Sequence, residues 1–214
     1  MESTIHLACQ QNKIAVVQHL ILQQNININL TGTSGWTPLH YVCKLRDVEI
    51  AQFLLEHGAC VNKPNYADET PLMLAIYYKH IELAQLFIQY GANIHYQTKR
   101  KKTVLSYAKE AHAFDCMLFL VEKGVDIDPH LELLDLACIQ NQYELVVVLV
   151  KHGVSVFSTD CTGQRPSKFT NDNRIKNLLV RLESVVLILI ANVRPTTRIS
   201  VLPMDVLRRL SEYI

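Results

Sequence analysis

The stretch Gly35-Trp36-Thr37-Pro38-Leu39-His40 returns in part as Glu69-Thr70-Pro71-Leu72-Met73, and that return decides the fold. Thr37 and Thr70 stand 33 residues apart, and Thr103, which opens the degenerate copy Thr-Val-Leu-Ser-Tyr-Ala, follows after another 33. Gly58, Gly91 and Gly124 keep the same interval of 33. A fixed period of about 20–50 residues marks a stacked array, because a unit this small cannot bury its apolar face alone and covers it with its neighbours. Such an array offers a long exposed surface and ordinarily no catalytic cavity.

Each unit reads as two short helices and an extended connector. Thr37 is a helix N-cap by type, since its hydroxyl can accept from a free N–H of the first turn. Pro38 suits the next position, where no backbone partner is lost. Leu39, Val42 and Cys43 give helical apolar spacing, Val48–Leu55 gives the second helix, and Gly58 ends it in a left-handed turn. The connector Ala59–Asp68 is an extended hairpin. The third, fourth and fifth units repeat this plan with Thr70–Ala75 and Ile81–Ile88, Thr103–Ala108 and Phe114–Leu120, and Leu133–Cys138 and Tyr143–Val150. Glu49, Glu82, Asp115 and Glu144 open the second helices, where acidic side chains complement the helix dipole. A first unit (Ile5–Cys9, Val16–Leu22) is degenerate but in phase, and a partial sixth opens at Asp160–Pro166. Gly124 and Gly153 are only 29 apart, so the connector Val125–Leu131 is four residues short and a clipped hairpin with a kink is expected there.

At 49% hydrophobic and 19% charged residues, the chain of 214 can bury a core. Its net charge of +1 gives no global reason to expect nucleic acid or an anionic membrane. None of the six cysteines forms a CxxC pair, and Cys9, Cys43 and Cys138 recur at one place in three units. They read as buried thiols in a reducing compartment rather than as disulfides or zinc ligands. The repeat pattern starts at once after Met1, leaving no room for a signal peptide, and Val185–Ile190 is too short to span a bilayer. A soluble, cytoplasmic monomer is expected.

The residues Gly35–His40, Phe53–Asn62, Gly91–His95 and Asp160–Gly163 resemble the ankyrin repeat, and the likeness covers about 1–180. The resemblance implies an all-α solenoid with short β-hairpin fingers, about five repeats and a partial sixth over 1–180, and a helical C-terminal extension over 181–214. It implies a non-enzymatic scaffold that binds a protein partner through the fingers and the exposed side of the first helices. Carried over by position, the exposed sites are Trp36, Tyr41 and Lys44, then Tyr66, Glu69, Leu74 and Tyr77, then Lys99, Arg100, Lys102 and Tyr107. Aromatic and cationic side chains carry much of the energy of typical interfaces. Asn62 matches the hairpin asparagine that is hydroxylated in some members.

Competing chemistry is thin. Lys99–Lys102 is the densest charge run; on a hairpin it is a solvated face, a contact for an acidic partner or a nuclear-import patch. No further basic stretch interleaves it, so nucleic acid is not expected. His6 and His40 occupy the repeat's own histidine site, and no histidine or cysteine pair has metal-ligand spacing, so neither metal nor cofactor is expected. No GxSxG, phosphate-binding loop or dinucleotide motif appears.

The tail is the most specific clue. Leu202, Pro203, Asp205, Val206, Leu210, Tyr213 and Ile214 fill the keyed positions of the opening of an F-box, the element that docks the adaptor of cullin-type ubiquitin ligases. Val206, Leu207, Leu210 and Ile214 also make one apolar helical stripe fit to cap the array. A SOCS box is a third reading, although Val185–Val193 lacks its cysteine. F-box-like tails follow ankyrin arrays in some viral proteins, so a host cytoplasm is the expected location if the source is a virus or an intracellular bacterium.

Overall fold

A computed structural model describes residues 3–24, 26–128, 131–158 and 163–192, with side chains as far as Val185. It is helical throughout, with no strand among the described residues. Eleven α-helices follow in order: α1 (Thr4–Gln10), α2 (Ile14–Leu22), α3 (Pro38–Leu45), α4 (Val48–Glu56), α5 (Pro71–Tyr77) and α6 (Ile81–Gln89), then α7 (Val104–Glu110), α8 (Phe114–Glu122), α9 (Leu133–Ile139), α10 (Tyr143–Lys151) and α11 (Asn173–Asn192). The chain divides between Leu120 and Val121 into two compact units.

In the first unit the first helices of successive repeats pack in the series α1, α3, α5, α7, and the second helices pack as α2, α4, α6. The apolar faces meet between these layers, where Leu39, Ile50, Leu54, Leu72, Ile76, Leu83, Phe87 and Leu105 are all but inaccessible. Burying side chains of this size stabilises by about 1.5–3 kcal/mol each, before the entropy of ordering them is subtracted. Two kinds of left-handed turn recur among the described residues of this stretch. One joins the helices at Asn12, Arg46, Lys79 and His112, and the other ends the second helix at Gly58 (φ 92°), Gly91 (φ 82°) and Gly124 (φ 79°).

Threonine caps as its chemistry dictates. Thr70 Oγ1 accepts from the Met73 N–H and Thr103 Oγ1 from the Ser106 N–H, each at 3.4 Å. The fingers, however, are turns rather than β-hairpins. Each closes with a wide bond, in which Gly32, Asn65 and Thr98 donate their N–H to the carbonyls of Trp36, Glu69 and Lys102 at 2.8, 2.9 and 3.0 Å. A tight return bond runs from the Gly35, Asp68 and Lys101 N–H groups to the Gly32, Asn65 and Thr98 carbonyls at 3.1, 3.0 and 2.7 Å. Both bonds of a finger pivot on one residue, so they close a turn without the run of consecutive pairs that a ladder needs, and no strand appears among the described residues.

In the second unit α9 packs on α10 and α10 on α11. The partial sixth repeat has only a 3₁₀ turn at Pro166–Lys168 in place of a first helix. Its second helix, α11, runs unbroken through the point where the repeat phase of the sequence ends at Leu182. The tail residues Leu202–Ile214 and part of the shortened connector, 129–130, lie outside the described residues.

Candidate partner-binding face

The entrance to each first helix and the finger behind it are tied together. In the second repeat the Thr37 backbone N–H donates to His40 Nδ1 at 3.1 Å, with Thr37 Oγ1 at 2.7 Å from the same nitrogen. An accepting Nδ1 leaves the ring proton on Nε2, which then donates to the Glu69 carbonyl at 3.2 Å, at the base of the next finger. His6 repeats the device, receiving the Ser3 N–H at 3.1 Å and reaching the Leu30 carbonyl at 2.8 Å. Both rings are fully buried, and burial pushes the His40 pKa down to about 4. These histidines are struts, and with both ring nitrogens of each engaged their geometry leaves nothing for metal ligation. Among the described residues no group of three His, Cys, Asp or Glu side chains is placed to hold a metal ion.

Neighbouring fingers are also joined to one another. The Tyr66 N–H donates to the Ser34 carbonyl at 2.9 Å, and the Lys99 N–H to Asp68 Oδ2 at 2.6 Å. Tyr96 adds its hydroxyl, donating to Asp68 Oδ1 at 2.7 Å; these two bonds hold the Asp68 carboxyl below the usual carboxylate range. Beneath them, Asn62 Nδ2 donates to the Gly91 carbonyl at 2.9 Å and Asn62 Oδ1 accepts from the Asn93 N–H at 2.8 Å. Asn29 makes the same pair of bonds to Gly58 and Cys60 one repeat earlier.

A family model described as Ankyrin repeats (3 copies) matches residues 5–98 and 82–160. The chain is an ankyrin repeat protein. The crystal structure of the human ASB11 ankyrin repeat domain shares its fold, at 20% identity and a TM-score of 0.52 over 84% of this chain and 97% of that one. Among curated relatives, fowlpox virus putative ankyrin repeat protein FPV034 is 30% identical over 51% of this chain and 26% of its own length. The palmitoyltransferase akr1 of Schizosaccharomyces pombe is 39% identical over 28% of this chain and 9% of its own, and Escherichia coli putative ankyrin repeat protein YahD is 40% identical over 24% and 28%. The ankyrin chain thus spans between 9% and 28% of the length of these relatives. The ankyrin fold is in general a non-catalytic scaffold for protein–protein contact.

Six of the eleven residues assigned to partner contact from the sequence converge on one cleft. Tyr66, Glu69, Lys99, Arg100, Lys102 and Tyr107 line it with Ala67, Asp68 and Thr98, enclosing about 290 Å³ between two fingers and α7. Inside it, Glu69 Oε2 accepts from Asn65 Nδ2 at 2.8 Å and Glu69 Oε1 from the Tyr107 hydroxyl at 3.1 Å. Lys102 Nζ pairs with Glu110 at 2.6 Å and lies 5.6 Å from the centre of the Tyr107 ring.

The other five lie apart from the cleft, and three of the eleven are less exposed than expected. Tyr41 and Tyr107 are 7% exposed and Leu74 is 4% exposed. Tyr41 is enclosed because its ring is flanked by His6 at 5.3 Å and by Trp36, edge-on, at 5.1 Å, while Leu74 is covered where α5 packs between α3 and α7. Burial, aided by the Glu69 carboxylate, raises the Tyr107 pKa, so the phenol stays protonated as a donor. Trp36 is half-buried, whereas Lys44, Tyr66 and Tyr77 are exposed. Asp68 and Thr98 also line the cleft, and the sequence alone does not single them out. The 33-residue interval that aligns Gly32, Asn65 and Thr98 is the signal that could have found the last of them.

Proposed function

We propose that this ankyrin repeat protein holds a protein partner along the finger tips and first-helix face between about residues 30 and 107. The observation that carries this reading is the convergence of Tyr66, Lys99, Arg100 and Lys102 on one cleft, with Tyr77 exposed beside Tyr107 at a ring separation of 6.5 Å. Exposed aromatic and cationic side chains on a stiff frame cost little to order on binding. The test is affinity capture with the full chain against a variant carrying Trp36→Ala, Tyr66→Ala and Tyr77→Ala, with circular dichroism as the fold control. Loss of capture at unchanged helicity is expected; capture retained by the variant moves the site elsewhere.

Buried, free Cys9, Cys43, Cys116 and Cys138 support a reducing, cytoplasmic setting for that event, since burial raises all four thiol pKa values and keeps them protonated. No helix among the described residues is long and apolar enough to cross a membrane.

The keyed residues from Leu202 to Ile214 favour a second reading, in which the array holds a substrate while the tail recruits a cullin-type ligase adaptor. Because α11 runs to Asn192, the informative truncation ends there and not at Leu182, which would cut the helix. An adaptor recovered with the full chain and absent from the shorter one supports this second reading. Equal recovery from both, with a lower melting point for the shorter chain, leaves the tail as a cap.

A further inference from the structure

We infer that the cleft between the fingers of the third and fourth repeats accepts an acidic peptide segment, its carboxylates on Lys99 and Arg100 and an apolar side chain against Tyr66. The inference rests on the proposed binding face and adds the chemistry of what it binds.

Most charged groups of the cleft are already occupied. The two carboxylates of the cleft have their oxygens engaged: Asp68 by the Tyr96 hydroxyl and the Lys99 N–H, Glu69 by Asn65 and the Tyr107 hydroxyl. Lys102 is paired with Glu110. Lys99 and Arg100 line the same cleft and form no salt bridge within the described residues. The unsatisfied charged donors are therefore both cationic, and Arg100 offers a planar fork that suits a carboxylate. The apolar anchor is equally defined. Tyr66 is 79% exposed, yet its backbone is pinned to Ser34 at 2.9 Å and its ring lies on Gly35, where an added Cβ would fall 2.5 Å from Tyr66 Cδ1. A large ring held outward at fixed geometry loses little freedom on binding.

Size and charge select the occupant. A cleft of about 290 Å³ takes one or two side chains of an extended peptide. A nucleic acid needs a track of cations, whereas here a single basic run lies on a chain of net charge +1. Asp68 and Glu69 on the cleft wall would also oppose a doubly charged phosphate more than a singly charged carboxylate.

The test pans a random peptide library on phage against the full chain, then measures a selected decapeptide by fluorescence anisotropy. Acidic sequences with an apolar neighbour should be enriched. The Glu→Gln version of the selected peptide should bind at least about tenfold more weakly, and affinity should fall as salt rises from about 50 to about 200 mM. Lys99→Glu with Arg100→Glu should abolish binding, while Lys151→Glu on α10 should leave it intact. The bond from Lys99 to Asp68 is made by the backbone, so these changes spare the frame; should the reversal nonetheless unfold the protein, Lys99→Gln with Arg100→Gln serves the same purpose.

Enriched peptides that are not acidic but still need Tyr66 overturn the charge assignment and leave the binding face standing. If no peptide depends on any finger residue, both readings fall. A phosphoserine version that binds more tightly than the carboxylate, or oligothymidylate that competes at low salt, assigns the cleft to another ligand and overturns the inference.

Discussion

The second and fifth repeats carry the same pair of helices on different connectors. In the second, Thr37-Pro38-Leu39-His40 enters α3, and the His40 ring reaches across to the finger at Glu69. In the fifth, Glu132-Leu133-Leu134-Asp135 stands in that place, Glu132 has a left-handed backbone (φ 48°), and no side chain caps α9. The second unit joins its repeats at Asn141 instead, whose Oδ1 accepts from Thr170 Oγ1 at 2.8 Å and from the Asn171 and Asp172 N–H groups at 3.2 Å. Helix pairing therefore survives loss of the histidine strut. What the strut supports is the finger, and the fingers carry the candidate binding residues.

The comparison breaks most visibly at His40. His40→Ala removes a buried ring, leaves the Thr37 N–H without a partner, takes from the Glu69 carbonyl one of its two bonds, and opens a cavity, so a loss of about 3 kcal/mol in urea unfolding is expected. The same strut sets an acid limit. The His40 pKa falls from its usual 6.5 to about 4 on folding, so the unfolded chain takes up a proton that the folded one refuses as pH drops below 6.5. Stability due to this group is full above that value and is lost toward pH 4, at about 1.4 kcal/mol per unit. Between about pH 7 and about pH 5, above most carboxylate titration, wild type should lose about 2 kcal/mol that His40→Ala does not. His80, lowered by desolvation and by Arg46, contributes in the same direction. Parallel pH profiles for the two proteins would mean that the His40 strut does not set the acid limit.

Glycine sharpens the contrast between finger and helix end. Gly35 and Gly91 both need positive φ, at 75° and 82°, but a Cβ at Gly91 meets nothing within 4 Å. Gly91→Val therefore pays only for backbone strain, roughly 1–2 kcal/mol. Gly35→Ala adds a collision with the Tyr66 ring and its backbone nitrogen at 2.8 Å, and is expected to cost about 2 kcal/mol or more. It should also move Tyr66 and weaken peptide binding, which Gly91→Val should leave unchanged. Equal effects on binding would detach Tyr66 from its glycine seat.

The repeat interval made most of this legible. Caps, turn glycines and buried leucines recur with the period, because each answers to its own unit and the next one. The finger contacts were less legible, since they depend on residues that vary between repeats: Asp68 receives Tyr96 and Lys99 here, yet Gly35 and Lys101 hold its place in the neighbouring fingers. Tyr41 and Tyr107 looked exposed by position, but position in a repeat does not count the aromatic neighbours that happen to cover a ring. The fingers looked like β-hairpins by analogy and are turns, because both closing bonds of each pivot on a single residue, Gly32, Asn65 or Thr98, within a five-residue span.

The smallest effect is expected at Arg46 and Glu82, and it separates charge from frame. Arg46 Nη2 lies 2.7 Å from Glu82 Oε1, joining the turn after α3 to the start of α6, and the pair holds the Glu82 carboxyl below its usual range. Both side chains are about half exposed, at 58% and 47%, where solvent and salt screen most of the attraction. Glu82 also stands in the first turn of α6, so its charge faces the helix dipole as well as Arg46. Arg46→Gln should therefore leave the urea midpoint where it is, at low and at high salt. A clear loss that salt abolishes would mean that surface charge, and not the buried strut and finger bonds, ties neighbouring repeats together in this part of the array.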